Sequence, residues 1–578
     1  MQSLTALVTA TRADVDQQPL ALLKADGTPL VRRIVEQLTT LRVTVVHVLG
    51  RPEHAEALTA ALADLPVRLH VHAGATVTDD LVNAAQVLAA ATGPTVVVGG
   101  DVYTQREALA GLIADPRSSS GILTTGQWSR GRLSARIRST RGRVISAETP
   151  VHECSRSTSY FLSVMRVNAD DASRLAVAAK ELAALLADKP STWEHARQLQ
   201  SGLVRRRVQR FVFNERLADV PEGDERRAVL ELTPEELDAL PPDADVLDRL
   251  SRLQHMAEGD ALTWLLLGLV RTSPMVTNNS LRALYWRRPV SKAELDVAVE
   301  EIEDFDEERV LLESAVKGSD GFFTTFFVSP YSKYIARWAG WRGISPNTVT
   351  VFSMALGILA ATGFALGTRP GLIAGAVLLQ LAFTFDCVDG QLARYTRQFS
   401  TMGAWLDSVF DRGKEYVVYV GLAWGSIRGF DQDVWGLAVA ALMLQCLRHF
   451  IDFSYAASFH QSIAMSAQPP LSDPADVVLA SDAVEPDHGE SARSGLGAGE
   501  PVKASLGSRA IQLSRWAERW EGTRWAKRIV VLPIGERFAL ISLTAAFGRP
   551  HLTFLALLVW GGLAGAYTAT GRVLRSLA

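Results

Sequence analysis

Four carboxylates stand inside apolar sequence. Between the run Leu372–Phe385 and the run Val417–Ile427 lie Asp386, Asp389, Asp407 and Asp411, together with Arg394 and two glycines, Gly390 and Gly403. A charged side chain at bilayer depth is costly and persists where it meets a partner or performs a task. The stretch therefore restricts the chain to folds that gather these groups. At roughly 100° per residue, Asp386, Asp389 and Ala393 fall on one helical face, and Asp407 and Asp411, one turn apart, on a face of the next helix. The polar connection Tyr395–Ser400 lies between them. Two antiparallel helices joined there bring all four carboxylates together near one membrane face. Converging oxygens suit a hard divalent cation such as Mg²⁺, Mn²⁺ or Ca²⁺. Intramembrane carboxylates also line cation pathways, so a cation transport protein is a second reading. Against it, the charges gather at one end of two helices.

The full spacing is D-x2-D-G-x2-A-R-x8-G-x3-D-x3-D, filled by Asp386, Asp389, Gly390, Ala393, Arg394, Gly403, Asp407 and Asp411. It resembles, at every fixed position, the signature of the CDP-alcohol phosphotransferases. These membrane enzymes transfer a phosphoryl-alcohol unit from a CDP-alcohol to a second alcohol and release CMP. The resemblance implies a metal site of Asp386, Asp389, Asp407 and Asp411, holding Mg²⁺ or Mn²⁺ as two ions, with Asp411 also deprotonating the acceptor hydroxyl. On that division of labour, Asp411→Asn impairs chemistry more than metal retention, and Asp389→Asn weakens both. Gly390 and Ala393 leave room for the nucleotide, Gly403 allows close helix approach, and Arg394 lies at the diphosphate end. Asn347, in the Pro-Asn pair before the first membrane helix, also resembles the family. Lys414, Arg448 and Arg537 are candidates for binding an acceptor phosphate. A homodimer is a further implication.

Hydrophobic residues make up 48% of the 578-residue chain, yet 21% are charged. That mixture predicts soluble and membrane parts fused. A formal net charge of −3 gives no support for nucleic-acid binding. Cys154, Cys387 and Cys446 are too scattered for a disulfide framework or a zinc site. The opening MQSLTALVTATRADVD has neither the basic flank nor the long apolar core of a signal peptide.

Residues 1–310 read as an α/β, Rossmann-like domain. Leu4–Val8, Val43–Leu49, Val67–Val71 and Thr95–Val98 are expected strands, and Pro29–Leu41 and Asp79–Ala91 expected amphipathic helices. Two segments, LLKADGTPLVRRIVEQLTTLRVTVVHVLG and PTVVVGGDVYT, resemble the nucleotidyltransferases that act on sugar and alcohol phosphates. Asp101, after Gly100, matches that family's metal-binding carboxylate. Elsewhere the chain departs from the family. Thr9–Asp14 lacks the glycines with which a backbone wraps a triphosphate, Gln18 stands where the family has lysine, and Arg287 and Arg288 follow Trp286 where it has a second carboxylate. Arg12 reads as an ordinary exposed arginine. The domain is therefore expected to be degenerate. The alternative is a bifunctional enzyme whose N-terminal domain makes the CDP-alcohol from CTP. Fusion of the two parts resembles the bifunctional inositol-phosphate cytidylyltransferase and di-inositol-phosphate phosphate synthase proteins, which points to inositol phosphate as acceptor, with glycerol phosphate as runner-up.

A charged helical insertion is expected at about 186–260, including the basic run Arg205–Arg210. Ala261–Val270 is too short to span a bilayer and reads as a core helix. Residues 311–345, with aromatics and Lys/Arg interleaved, suit an interfacial segment. Residues 346–578 form the all-α membrane domain, with six spans at about 347–367, 371–394, 401–427, 433–456, 530–547 and 550–572. Residues 464–506 are expected to be disordered, and Ser514–Ile529 a second interfacial helix. Arginines and lysines in the fourth connection place both termini, the soluble domain and the carboxylates on the cytoplasmic side of the cell membrane.

Overall fold

The computed structural model describes residues 4–14, 16–115, 119–126, 135–140, 142–148, 154, 157–187, 260–317, 320–465 and 520–576. The main division between its two compact units falls between Asp306 and Glu307. The expected insertion at about 186–260, the basic run within it, and the loop at about 464–506 lie almost wholly outside the described residues. So does the start of the expected helix at Ser514–Ile529.

The first unit is built on a nine-stranded mixed sheet. Its strands are β1 (Leu4–Ala10), β2 (Val43–Gly50), β3 (Arg68–Ala73), β4 (Thr95–Gly99), β5 (Gly121–Thr125), β6 (Arg136–Thr140), β7 (Arg143–Ala147), β8 (Ser159–Val167) and β9 (Thr277–Ser280). Their order is β3-β2-β1-β4-β8-β5-β9-β7-β6. The first four are parallel: Leu7 faces His47 on one side and Val97 on the other. Their near-continuous Val/Leu runs suit strands covered on both faces. Helices α1 (Leu30–Thr40), α2 (Val77–Ala90), α3 (Ala169–Ala187) and α4 (Ala261–Thr272) pack on the sheet. Leu81, Leu88, Leu175, Leu182, Leu265 and Leu269 join Leu7, Val97 and Met165 in one core. The four strands and two helices expected from the sequence all form, within a few residues of their expected ends. The apolar run Ala261–Val270 is a buried core helix, started by Asp260, whose carboxylate accepts from Leu262 N at 3.1 Å. Because β1 lies between β2 and β4, their C-terminal ends open a crevice at a topological switch point, the usual ligand position in such sheets.

The second unit is helical. Helices α5 (Glu307–Ala315) and α6 (Ser329–Trp341) precede α7 (Pro346–Ala365), α8 (Arg369–Thr396), α9 (Thr401–Phe430) and α10 (Trp435–Met465). After a gap in the described chain come α11 (Glu521–Val530), α12 (Ile534–Ala546) and α13 (Pro550–Ser576). Local sequence sets the boundaries. Ser345, Thr368 and Ser400 cap α7, α8 and α9, each side chain accepting from a backbone N–H three residues on. Arg397 and Asp431 end α8 and α9 in the left-handed region. Helix α6 has two faces: Ser332, Ala336 and Ala339 are buried, whereas Tyr334, Trp338 and Trp341 are exposed.

Among the described residues, four helical segments are long and apolar enough to cross a bilayer: Pro346–Ala365, Arg369–Thr396, Trp435–Tyr455 and Pro550–Val573. Six spans are expected from the sequence. Helix α9 is long enough at 30 residues, but Asp407, Asp411, Arg412, Lys414 and Glu415 lower its hydropathy. The expected span at 530–547 is broken at Val531–Pro533, where Leu532 is left-handed and Pro533 cannot continue a helix. Only 13 residues follow in α12, about 20 Å of helix at 1.5 Å per residue.

Candidate metal centre and adjoining pocket

Helices α8 and α9 run on either side of the turn Arg397–Ser400, and both pack against α7. Asp386 projects from α8 and Asp407 and Asp411 from α9, and one oxygen of each lies within 4.8 Å of the others. Asp389, one helical turn from Asp386, stands beside this group and outside that distance. It is buried, and its Oδ2 accepts from Thr350 Oγ1 on α7 at 2.6 Å. The structure thus brings together three of the four carboxylates expected to converge.

The other motif residues form the walls. Arg394 lies over Gly390, where an added Cβ would sit 3.3 Å from Nη1. Its Nε donates to Ala315 O at 2.5 Å, holding the end of α5. A Cβ at Gly403 would stand 2.6 Å from Asn347 Oδ1, so the glycine admits Asn347 beside the start of α9. The Ala393 carbonyl closes α8 by accepting from Gln398 N at 3.1 Å.

Lys414 takes a position that its sequence context did not reveal. Expected as an acceptor ligand, it is fully buried, with Nζ paired to Asp386 and Asp411, the latter at 3.2 Å, and donating to Ser353 Oγ at 3.0 Å. Arg448 and Arg537 do meet, in a pocket of about 300 Å³ also lined by Asp411, Arg412, Glu415 and His449. Arg537 is not paired with its neighbour Glu536. It forms an ion pair with Glu415 on α9 at 3.0 Å, and its Nη1 donates to Leu532 O at 2.8 Å. Glu415 is itself buried and accepts from Tyr419 Oη at 2.7 Å. Glu536 instead accepts from Phe323 N at 3.2 Å. Arg448 donates to Val531 O at 2.7 Å. The two arginines therefore hold the 531–533 break while facing the pocket. Glu415 was missed by sequence reasoning; its one signal is that it lies one turn beyond Asp411 on the same helix.

These residues fit a divalent metal. The donor set is entirely carboxylate oxygen, as hard cations require, and its three members converge from two helices within 4.8 Å. Asp386, Asp407 and Asp411 would hold the ion.

In the first unit, the crevice at the ends of β1 and β4 holds a different arrangement. Asp101 is buried between Arg12 at 2.5 Å and Arg288 at 2.9 Å, and Arg288 also pairs with Asp260 at 2.6 Å and donates to Ser163 Oγ at 2.9 Å. Burial pushes the Asp101 carboxyl up, but the facing Arg288 and Arg12 guanidiniums outweigh it and hold it below the usual range. Arg12, expected to be exposed, is the opposite: its side chain is 11% exposed. Both Asp101 oxygens are engaged by cations, so this carboxylate does not fit a metal.

Residues 343–474 match the CDP-alcohol phosphatidyltransferase family, so the C-terminal region carries a domain of that family. Among curated relatives, a phosphatidylinositol phosphate synthase of Streptomyces avermitilis is 31% identical over 143 residues, 25% of this chain and 54% of its own. A bifunctional IPC transferase and DIPP synthase of Thermococcus kodakarensis is 31% identical over 128 residues, 22% of this chain and 28% of its own. The chain thus spans about half or less of the length of these relatives. The solved inositol-1-phosphate CTP transferase from T. maritima aligns with 53% of this chain and 98% of its own at 11% identity and a TM-score of 0.32.

Proposed function

We propose that the second unit is a metal-dependent CDP-alcohol phosphotransferase whose acceptor is a phosphorylated polyol, with inositol phosphate first and glycerol phosphate second. The observation that carries this reading is the gathering of Asp386, Asp407 and Asp411 within 4.8 Å, inside the segment matching the family, next to a pocket that Asp411 shares with Arg448 and Arg537. The names of the relatives, synthases of phosphatidylinositol phosphate and of DIPP, favour the inositol acceptor.

The acceptor hydroxyl attacks the phosphorus bearing the donor alcohol, the phosphoanhydride bond to the cytidine-bearing phosphate breaks, and CMP leaves. Asp411 lines both the carboxylate group and the pocket, so it is the base that takes the hydroxyl proton. Arg448 and Arg537 orient the acceptor phosphate by charge-assisted hydrogen bonds, while Glu415 keeps Arg537 in place. Arg394, beside Gly390, faces the donor diphosphate. A bound divalent ion supplies Lewis-acid stabilisation of charge on the leaving CMP.

The same reading takes six helices as membrane-embedded: the four apolar ones, α9, and the short α12. Exposed Val420, Trp424 and Ile427 on α9 and Leu543 on α12 support lipid contact. By the distribution of Arg and Lys, the termini and the carboxylates face the cytoplasm. A homodimer rests on the family resemblance alone. The first unit is read as a nucleotidyltransferase-like domain without nucleotidyl transfer, because Arg12 and Arg288 occupy Asp101. Robust, Asp101-dependent pyrophosphate release from CTP would instead make the chain bifunctional.

The test is CMP release by the full chain, with Mg²⁺ or Mn²⁺, from a panel of CDP-alcohols. Absence of CMP with every donor, together with cation movement in liposomes, would favour the transport reading.

A further inference from the structure

Lys414 leaves α9 three residues after Asp411, and three helices build its position. Its ammonium touches Asp386 of α8, Asp411 of α9 and Ser353 of α7. Room for its stem comes from Gly357 on α7, where an added Cβ would stand 2.7 Å from Lys414 Cγ. The side chain has no solvent exposure, so water contributes little to balancing its charge. The carboxylates supply that balance, and an ammonium held against two of them neutralises part of the field that draws cations in.

Asp386, Asp407 and Asp411 together with the buried Asp389 beside them carry −4, and Lys414 brings the total to −3. One divalent ion leaves −1, whereas two would leave +1 with a fixed ammonium in contact with the same ligands. One oxygen of Asp386 is also already engaged by Nζ.

We propose that Lys414 is a built-in cation that occupies the place of a second metal charge, so that this carboxylate group takes one divalent ion where its four carboxylates alone would admit two. The proposal rests on the metal-dependent reading above. It makes Lys414 a positioning residue rather than an acceptor ligand.

The experiment is a Mn²⁺ titration of the purified full chain, counting by electron paramagnetic resonance the ions per chain that are lost in Asp407→Asn. One ion is expected in the wild type, and two in Lys414→Met. Lys414→Gln, which keeps a polar head without charge, is expected to follow Lys414→Met and serves where that variant does not fold. Two ions in the wild type, or one in a folded, charge-removed variant, overturns the proposal. No site-dependent ion in the wild type sinks the metal reading beneath it, a separate result.

Discussion

Asp411 belongs at once to the carboxylate group and to the arginine-lined pocket, and substitutions here separate base from ligand. Asp411→Asn removes the proton acceptor, and the expected loss in kcat is about 10²- to 10⁴-fold, read as CMP release at saturating substrates. Asp389 now carries a different expectation from the one its motif position suggested. Its oxygen already accepts from Thr350, which an amide can also do, so Asp389→Asn should weaken Mn²⁺ binding less than Asp407→Asn; equal losses by calorimetry would contradict the geometry. In the pocket, Arg448→Met should raise the KM for a phosphorylated acceptor about 10- to 100-fold, the range of one or two charge-assisted hydrogen bonds, with less effect on kcat. An unchanged KM would remove Arg448 from acceptor binding. In the first unit, His47 lies beside His72, with ring nitrogens 3.0 Å apart. Burial, then His72 and His70, push its pKa down to about 4, against about 6.5 unfolded. A depressed pKa contributes stability above about 6.5 that is lost as pH falls towards about 4. Protection factors for hydrogen exchange across β2 and β3, with the intrinsic pH dependence divided out, should therefore fall as pH drops through that window, and less so in His47→Gln. The carboxylates were legible because their spacing is local. The partners of Lys414, Arg537 and Asp101 were not, since Ser353, Glu415 and Arg288 lie 61, 122 and 187 residues away, beyond any helical or strand period.

Helix α9 meets α7 through Gly421, Gly425 and Gly429, where an added Cβ would run into the carbonyls of Ala361, Phe364 and Gly367 respectively. Small residues at every fourth position let helix backbones approach closely, which is the main source of association where lipid removes the hydrophobic drive. Gly425→Leu should cost about 1–3 kcal/mol or more through overpacking. Because α9 also carries Asp407 and Asp411, the same variant should lower CMP release; a native melting temperature in detergent with full activity would contradict this packing. The glycine repeat is plain in the sequence, but its partner is not, because periodicity names a face without naming what covers it. Helix starts follow local chemistry: Ser345 before Pro346 caps α7, and Ser400 caps α9. The expected span at 530–547 misled because apolar content hides a backbone break. Leu532 and Pro533 end one helix and begin another, and Arg448 and Arg537 hold the carbonyls that the break exposes.

At the scale of the whole molecule, the chain joins an α/β unit whose crevice is closed by ion pairs to a helical unit whose carboxylates remain open to a metal. The parallel half of the sheet was legible from Val-rich strands alternating with amphipathic helices. The mixed half, β5 to β9, was not, since its last strand follows the segment 188–259 and pairs in parallel with β5 across more than a hundred residues. Asp101→Ala takes the carboxylate from the buried Arg12 and leaves Arg288 with Asp260 alone, so it should destabilise the first unit by about 3–5 kcal/mol while CMP release by the full chain persists. Loss of CMP release with an unchanged melting temperature would give Asp101 a catalytic task instead. The reaction proposed for the second unit joins a donor phosphoryl-alcohol to a phosphorylated polyol. Its most direct measurement is mass-spectrometric detection of the condensed product beside CMP, after incubating the full chain with CDP-diacylglycerol, inositol phosphate and Mn²⁺. Product and CMP are expected in equal amounts, both lost with chelator, without acceptor, or in Asp411→Asn; CMP formed without acceptor, or product formed equally well by Asp411→Asn, would contradict that reaction.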